Sequence, residues 1–172
     1  LCNGGETGII TAKASGGSGT YTYKLISATD GSVVRTAQTA NTFTGLPAGR
    51  YKVVVNDGSS NFTTAEAEIK QPTNTLALAL TAQTEITCYG GSDGSATVEA
   101  SGGTPATTGD PYIYIWEGIG QTTATATNLS AGTYKVRVLD ANGCEAFLDV
   151  EILQPDEIPA SAGPDQILEC GN

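Results

Sequence analysis

The chain repeats itself. Cys2-Asn3-Gly4-Gly5-Glu6-Thr7-Gly8 aligns with Cys88-Tyr89-Gly90-Gly91-Ser92-Asp93-Gly94, and Ala14-Ser15-Gly16-Gly17 aligns with Ala100-Ser101-Gly102-Gly103. Tyr21-Thr22-Tyr23 returns as Tyr112-Ile113-Tyr114, and Leu46-Pro47-Ala48-Gly49-Arg50-Tyr51-Lys52-Val53 as Leu129-Ser130-Ala131-Gly132-Thr133-Tyr134-Lys135-Val136. From there both copies run without a gap to Gln71-Pro72 and Gln154-Pro155. Self-similarity of this kind marks each copy as one folding module, so the 172 residues divide into small modules and do not form one large domain. Extra residues near Thr104–Pro111 in the second copy, and between Leu25 and Leu46 in the first, belong in loops.

Comparing the copies assigns faces, because strand side chains alternate sides. Tyr21, Tyr23 and Leu25 match Tyr112, Tyr114 and Trp116, all large, so Thr22, Lys24, Ile113 and Ile115 are expected to face water. Tyr51, Val53 and Val55 match Tyr134, Val136 and Val138 as an inward set. Ala65, Ala67 and Ile69 match Leu148, Val150 and Ile152, with acidic residues between them. Ile10, Ala12 and Ala14 match Ala96, Val98 and Ala100. One apolar and one polar face is the mark of antiparallel sheets packed face to face. The expectation is therefore an all-β chain of two tandem immunoglobulin-like β-sandwich modules plus the start of a third. Trp116, Tyr114 and Val136 should share a core, with Lys24, Lys135 and Glu151 exposed. The Ala-Gly-x-Tyr turns at Tyr51 and Tyr134 read as tyrosine corners, and the Gln-Pro pairs as strand ends. The boundaries that follow are 1–73 for the first repeat, 74–85 for a linker and first strand of the second, 86–155 for the second repeat, and 156–172 for a linker and the opening strand of a further module.

Composition narrows the function. There is no His, so Ser-His and Cys-His nucleophile pairs and His-ligated zinc are excluded within these residues. The glycines sit in turn contexts and form no phosphate-binding loop. A formal net charge of −10 argues against nucleic acid as partner. No apolar run approaches the ~18 residues of a membrane span. The reading is a non-enzymatic chain with no cofactor.

The pattern Cys-x-Gly-Gly-x-x-Gly, Ser-Gly-Gly, Tyr-x-Tyr, Leu-x-Ala-Gly-x-Tyr-x-Val, Asp-Ala-Asn-Gly-Cys and Gln-Pro resembles the SprB repeat over roughly residues 1–155. That family occurs in tandem in large surface adhesins of gliding Bacteroidetes. The resemblance implies type IX secretion, display at the cell surface outside the cell, and a role as stalk or surface-contact module in adhesion or gliding motility. The implied partners are neighbouring repeats of the same polypeptide, with surface polysaccharide or other cell-surface proteins as further candidates and no membrane insertion. The alternative is a pair of accessory carbohydrate-binding modules of a larger secreted enzyme. The stretch Ala162–Cys170 resembles the start of another immunoglobulin-like module.

Three sets of residues stand out as candidate sites. Asp57, Asp93 and Asp140 are oxygen ligands that calcium could use at module junctions. Asp57-Gly58 and Asp140-Ala141-Asn142-Gly143 also have the composition of simple hairpin turns; the turn reading is adopted, and little or no calcium dependence is expected. Tyr89, Ile113, Ile115 and Ile119 are candidates for an apolar contact surface. In an exported chain a disulfide between Cys88 and Cys144 is expected inside the second repeat. Asn61 stands where the second copy has Cys144, so Cys2 is expected to lack a partner within these residues, and so is Cys170, which falls in the expected further module.

Overall fold

A computed structural model describes residues 1–17 and 19–158. These residues form strands and no helix. The expected opening strand of a further module, and Cys170 with it, lie outside the described residues.

In the first repeat the strands are β1 (Gly8–Thr11), β2 (Thr22–Ser27), β3 (Val33–Gln38), β4 (Thr42–Leu46), β5 (Gly49–Asn56), β6 (Asn61–Thr63) and β7 (Ala67–Ile69). β1 pairs with β4, while β3-β2-β5-β6 form a second sheet in which β7 also pairs with β5. β1 with β4, β2 with β3 and β5, and β5 with β6 and β7 all pair antiparallel. The register sets Tyr23 opposite Val55 and Leu25 opposite Val53. These four side chains and Tyr51 pack from one sheet against Ala12, Phe43 and Leu46 from the other. Apolar burial between two sheets is what holds a sandwich this size together, at roughly 25 cal/mol per Å² of apolar surface.

In the second repeat the strands are β8 (Ala77–Thr84), β9 (Gly94–Ser101), β10 (Ile113–Trp116), β11 (Thr125–Leu129), β12 (Gly132–Leu139) and β13 (Glu145–Ile152). The sheets are β11-β9-β8 and β10-β12-β13. β9 to β13 reproduce the first repeat in order, with β6 and β7 fused into β13. β3 has no counterpart because it falls in the first copy's insertion. β8 has no counterpart among the described strands of the first repeat.

By compactness the chain forms two units. Among the described residues, one unit holds Leu1–Leu78, Ala100–Ile113 and Arg137–Phe147, and the other holds Ala79–Glu99, Tyr114–Val136 and residues 148–158. In the second unit Trp116 is 1% exposed, and its indole N–H donates to the Thr123 carbonyl at 3.0 Å. Ala96, Val98, Val136, Val150 and Ile152 are buried in the same unit.

The alternation of faces holds over most positions, with Thr22, Lys24, Ala65, Tyr114 and Ile115 departing from it. Ile113 is exposed, Val136 is buried, and Lys135 and Glu151 are exposed. Tyr114 is half-buried and not buried, as is Ile115, because β10 is a short strand on a sheet edge. Lys24 is half-buried where exposure is expected: β2 lies between β3 and β5, so its neighbours cover the apolar stem. Ala65 is exposed because the strand breaks between Thr63 and Ala67. Both tyrosine corners form. The Tyr51 hydroxyl donates to the Pro47 carbonyl and that of Tyr134 to the Ser130 carbonyl, each at 2.9 Å.

Candidate functional site

The motif residues gather at the two ends of each repeat. At one end, the Cys-x-Gly-Gly turn closes on itself through Gly5 N–H to Cys2 carbonyl at 3.0 Å, and Gly91 N–H to Cys88 carbonyl at 2.9 Å. The side chain of the closing glutamine completes it: Gln71 Oε1 accepts from Gly4 N–H at 2.8 Å and Gln154 Oε1 from Gly90 N–H at 2.9 Å. The sequence shows this glutamine only as part of a strand end. Its recurrence beside Pro in both copies is the signal that it does more.

At the other end, a buried aspartate organises the turns. Asp140 Oδ1 accepts from the Asn142 and Cys144 amides at 2.8 and 2.9 Å, and Oδ2 accepts from the Thr104 amide at 2.8 Å. Asp57 Oδ1 accepts from the Ser59 and Ser60 amides at 2.9 and 2.8 Å. The two carboxylates are in residues only 8% (Asp57) and 5% (Asp140) exposed. Each is capped by a Gly-Gly turn that leaves no room for a side chain. A Cβ on Gly17 would collide with Asp57 Oδ2, and one on Gly103 would stand 2.6 Å from Asp140 Oδ2. A tyrosine fixes the cap, with Tyr21 donating to the Gly16 carbonyl and Tyr112 to the Gly102 carbonyl. Backbone N–H groups aimed at a carboxylate stabilise the anion without a cation.

Asp93 lies elsewhere. It accepts from the Thr87 hydroxyl at 2.5 Å and the Thr87 amide at 3.2 Å, and these bonds hold its carboxyl below the usual carboxylate range. The three calcium candidates thus each accept hydrogen bonds from amide or hydroxyl groups of the chain itself. Among the described residues no group of three or more His, Cys, Asp or Glu is placed to hold a metal. Of the contact-surface candidates, Tyr89 and Ile113 are 53% and 59% exposed, while Ile115 and Ile119 are half-buried. Ile113 and Ile115 share the outer face of β10; Tyr89 sits in the Cys88–Gly91 turn and Ile119 in the turn after Trp116.

The disulfide corrects the sequence expectation. Cys144 pairs with Cys2, with Sγ atoms 2.05 Å and Cα atoms 5.6 Å apart, and Cys88 is free and exposed. The reason is strand length. Eight-residue β9 carries the chain from the Cys88 turn to the Gly102-Gly103 turn, a rise of about 26 Å at roughly 3.3 Å per residue. Cys144 belongs to the second of those ends, four residues after Asp140. A disulfide needs Cα atoms within about 7 Å, so the two cysteines of one repeat cannot meet.

Cys2 reaches Cys144 because the first unit brings the opening of one repeat, the linker and the aspartate end of the next into a single cluster. The Asn3 side-chain amide donates to the Pro72 and Thr73 carbonyls at 2.8 and 3.2 Å, and the Thr75 hydroxyl donates to Asn3 Oδ1 at 3.2 Å. Gly103 N–H donates to the Asn74 carbonyl at 3.0 Å. The Asn142 side-chain amide donates to the Leu1 carbonyl at 3.1 Å and to the Thr104 hydroxyl at 2.9 Å. The contacts that Asn3 and Asn142 make here do not show when the repeats are read one at a time.

Among curated proteins, none matches the chain. Similar solved structures include the C-terminal 282-residue fragment of intimin in complex with the intimin-binding domain of its translocated receptor, at 16% identity and TM-score 0.41, covering 77% of this chain and 51% of that one. The three N-terminal domains of the bacteriophage RB49 highly immunogenic outer capsid protein align at 18% identity and TM-score 0.44, covering 88% and 55%. The N-terminal four Ig domains of Dscam1 isoform 4.4 align at 15% identity and TM-score 0.35, covering 87% and 41%. The chain spans about half the length of these structures. The sequence signature is more specific: the family model of the SprB repeat matches residues 1–33 and 80–121.

Proposed function

We propose that the chain is a non-catalytic repeat segment of a cell-surface protein, serving as spacer and contact module in adhesion or gliding motility after export by the type IX route. The observation that carries this reading is the covalent and hydrogen-bonded cluster around Cys2–Cys144, which joins one repeat to the next. An oxidising compartment is where such a bond persists, and repeats of this family suggest a surface protein. No helix among the described residues is long and apolar enough to cross a membrane. The buried aspartates support a structural role for the motif residues, since both oxygens of Asp140 and Oδ1 of Asp57 accept backbone amides.

The test is deletion of residues 1–155 from the parent surface protein. Loss of cell attachment or of gliding, with export of the remainder intact, is the expected result. Restoration by an unrelated pair of β-sandwich domains of equal length assigns the segment to spacing, and failure to restore assigns it to contact. Attachment and gliding both unchanged by the deletion would overturn the reading.

A further inference from the structure

The two repeats differ at one sheet edge. In the second, β8 closes the sheet β11-β9-β8; in the first, the sheet ends at β1, and no described strand pairs its outer edge. The cover that β8 provides is visible in burial. Ala96 and Ala100 are buried, whereas their counterparts Ile10 and Ala14 are half-buried. Leu76, just ahead of β8, is buried and lies 3.2 Å from where a Cβ on Gly103 would stand, beside Asp140.

The first repeat has space where the second has these residues. Ala14, Gly17, Tyr21, Val55 and Asp57, the counterparts of Ala100, Gly103, Tyr112, Val138 and Asp140, line a cavity of about 350 Å³ rimmed by exposed Phe62. A second cavity of about 250 Å³ continues along Ile10–Lys13 toward Val53 and Ala67. Ala65, whose counterpart Leu148 is half-buried, lines it too.

We propose that the outer edge of β1 and these two cavities form an acceptor for an extended strand of β8 chemistry, the entering strand of an adjoining module. A leucine would sit over Gly17 and Asp57 as Leu76 sits over Gly103 and Asp140, the next inward apolar residue would cover Ile10 and Ala12, and the backbone would pair with β1. Strand addition of this kind draws affinity from main-chain hydrogen bonds and specificity from alternate side chains. The internal template is the second repeat, which holds such a strand in the same place.

The experiment titrates the intact oxidised chain with a synthetic peptide of residues 73–84, alongside the same peptide carrying Leu76→Asp and Leu78→Asp. Expected are one-to-one binding, at least about tenfold weakening by the double substitution, and slowed amide exchange at Gly8–Thr11. No binding at about 1 mM, equal binding of both peptides, or protection confined to β9 would overturn the proposal. A fusion placing a copy of residues 74–86 directly before Leu1 reproduces the spacing of the second repeat and removes dependence on peptide solubility. It should melt several degrees above the unextended chain, and a fusion carrying the two aspartates should not. Equal melting of the two fusions would also overturn the proposal.

Discussion

Asp140→Ala tests whether the aspartate end of the repeat is built as described. The carboxylate accepts three backbone N–H bonds, from Thr104, Asn142 and Cys144. The Cys144 amide is buried, so losing its acceptor costs about 2–3 kcal/mol, while the two part-buried amides rehydrate at about 1 kcal/mol each. The sum, about 4–5 kcal/mol, lowers the melting midpoint of the unit that contains Asp140 by about 15–40 °C, at roughly 4–8 °C per kcal/mol for a small domain. Asp140→Asn keeps an acceptor at Oδ1 but turns an N–H₂ toward the Thr104 amide, and should fall between the two. Thermal melts followed by circular dichroism, on oxidised protein with and without chelator, provide the measurement. A loss below about 3 °C for the alanine variant would refute the assignment. So would a chelator-induced drop in the unmodified chain that matches the substitution, because the carboxylate would then be a metal ligand.

Tyr51→Phe removes a buried hydroxyl bond to Pro47 and should cost about 1–1.5 kcal/mol, with less lost at the more accessible Tyr134; equal melting of wild type and both variants would show that the corners carry no stability. For Asp93, whose pKa is depressed below its ordinary 3.8, the contribution to stability is present above the unfolded value and is lost as pH falls through the folded one. Thr87→Val removes the larger cause, so the Asp93 midpoint in a carboxyl NMR titration should rise toward the ordinary value, and an unchanged midpoint would contradict the hydrogen-bond account. Asn61→Cys restores the missing cysteine of the first copy, yet strand length keeps it from Cys2. Peptide mapping of non-reduced protein should find Cys2–Cys144 intact and the introduced thiol alkylatable, and a peptide linking Cys2 to that introduced thiol would sink the strand-length explanation.

Alternation was legible because duplication supplies two versions of each strand. Trp116 beside Leu25 and Tyr114 beside Tyr23 fix a register that neither copy fixes alone. Tyr51 and Tyr134 were legible for the same reason, and their bonds are local, four residues back along the chain. The Gly-Gly caps were half legible. Gly17 with Asp57, and Gly103 with Asp140, recur together, but a contact across some forty residues needs a register before it can be seen. The disulfide was not legible, since aligning repeats says which residues are equivalent and nothing about which end of one repeat meets its neighbour. Even so, the length of β9 was enough to separate Cys88 from Cys144. Ala65 misled because the first copy splits into β6 and β7 what the second runs as one strand.

The Cys2–Cys144 bond also decides how the oxidised chain answers tension. A pull entering at Leu1 passes through Cys2 directly to Cys144, 142 positions further along, and then toward the C-terminal strands. Everything between lies in a closed loop outside that path. Roughly 480 Å of contour length, at about 3.4 Å per residue, stays withheld however far those residues unfold. Only reduction would release it. The first repeat therefore rides beside the line of force and not in it, with its surfaces left to make contacts while a single covalent link takes the strain.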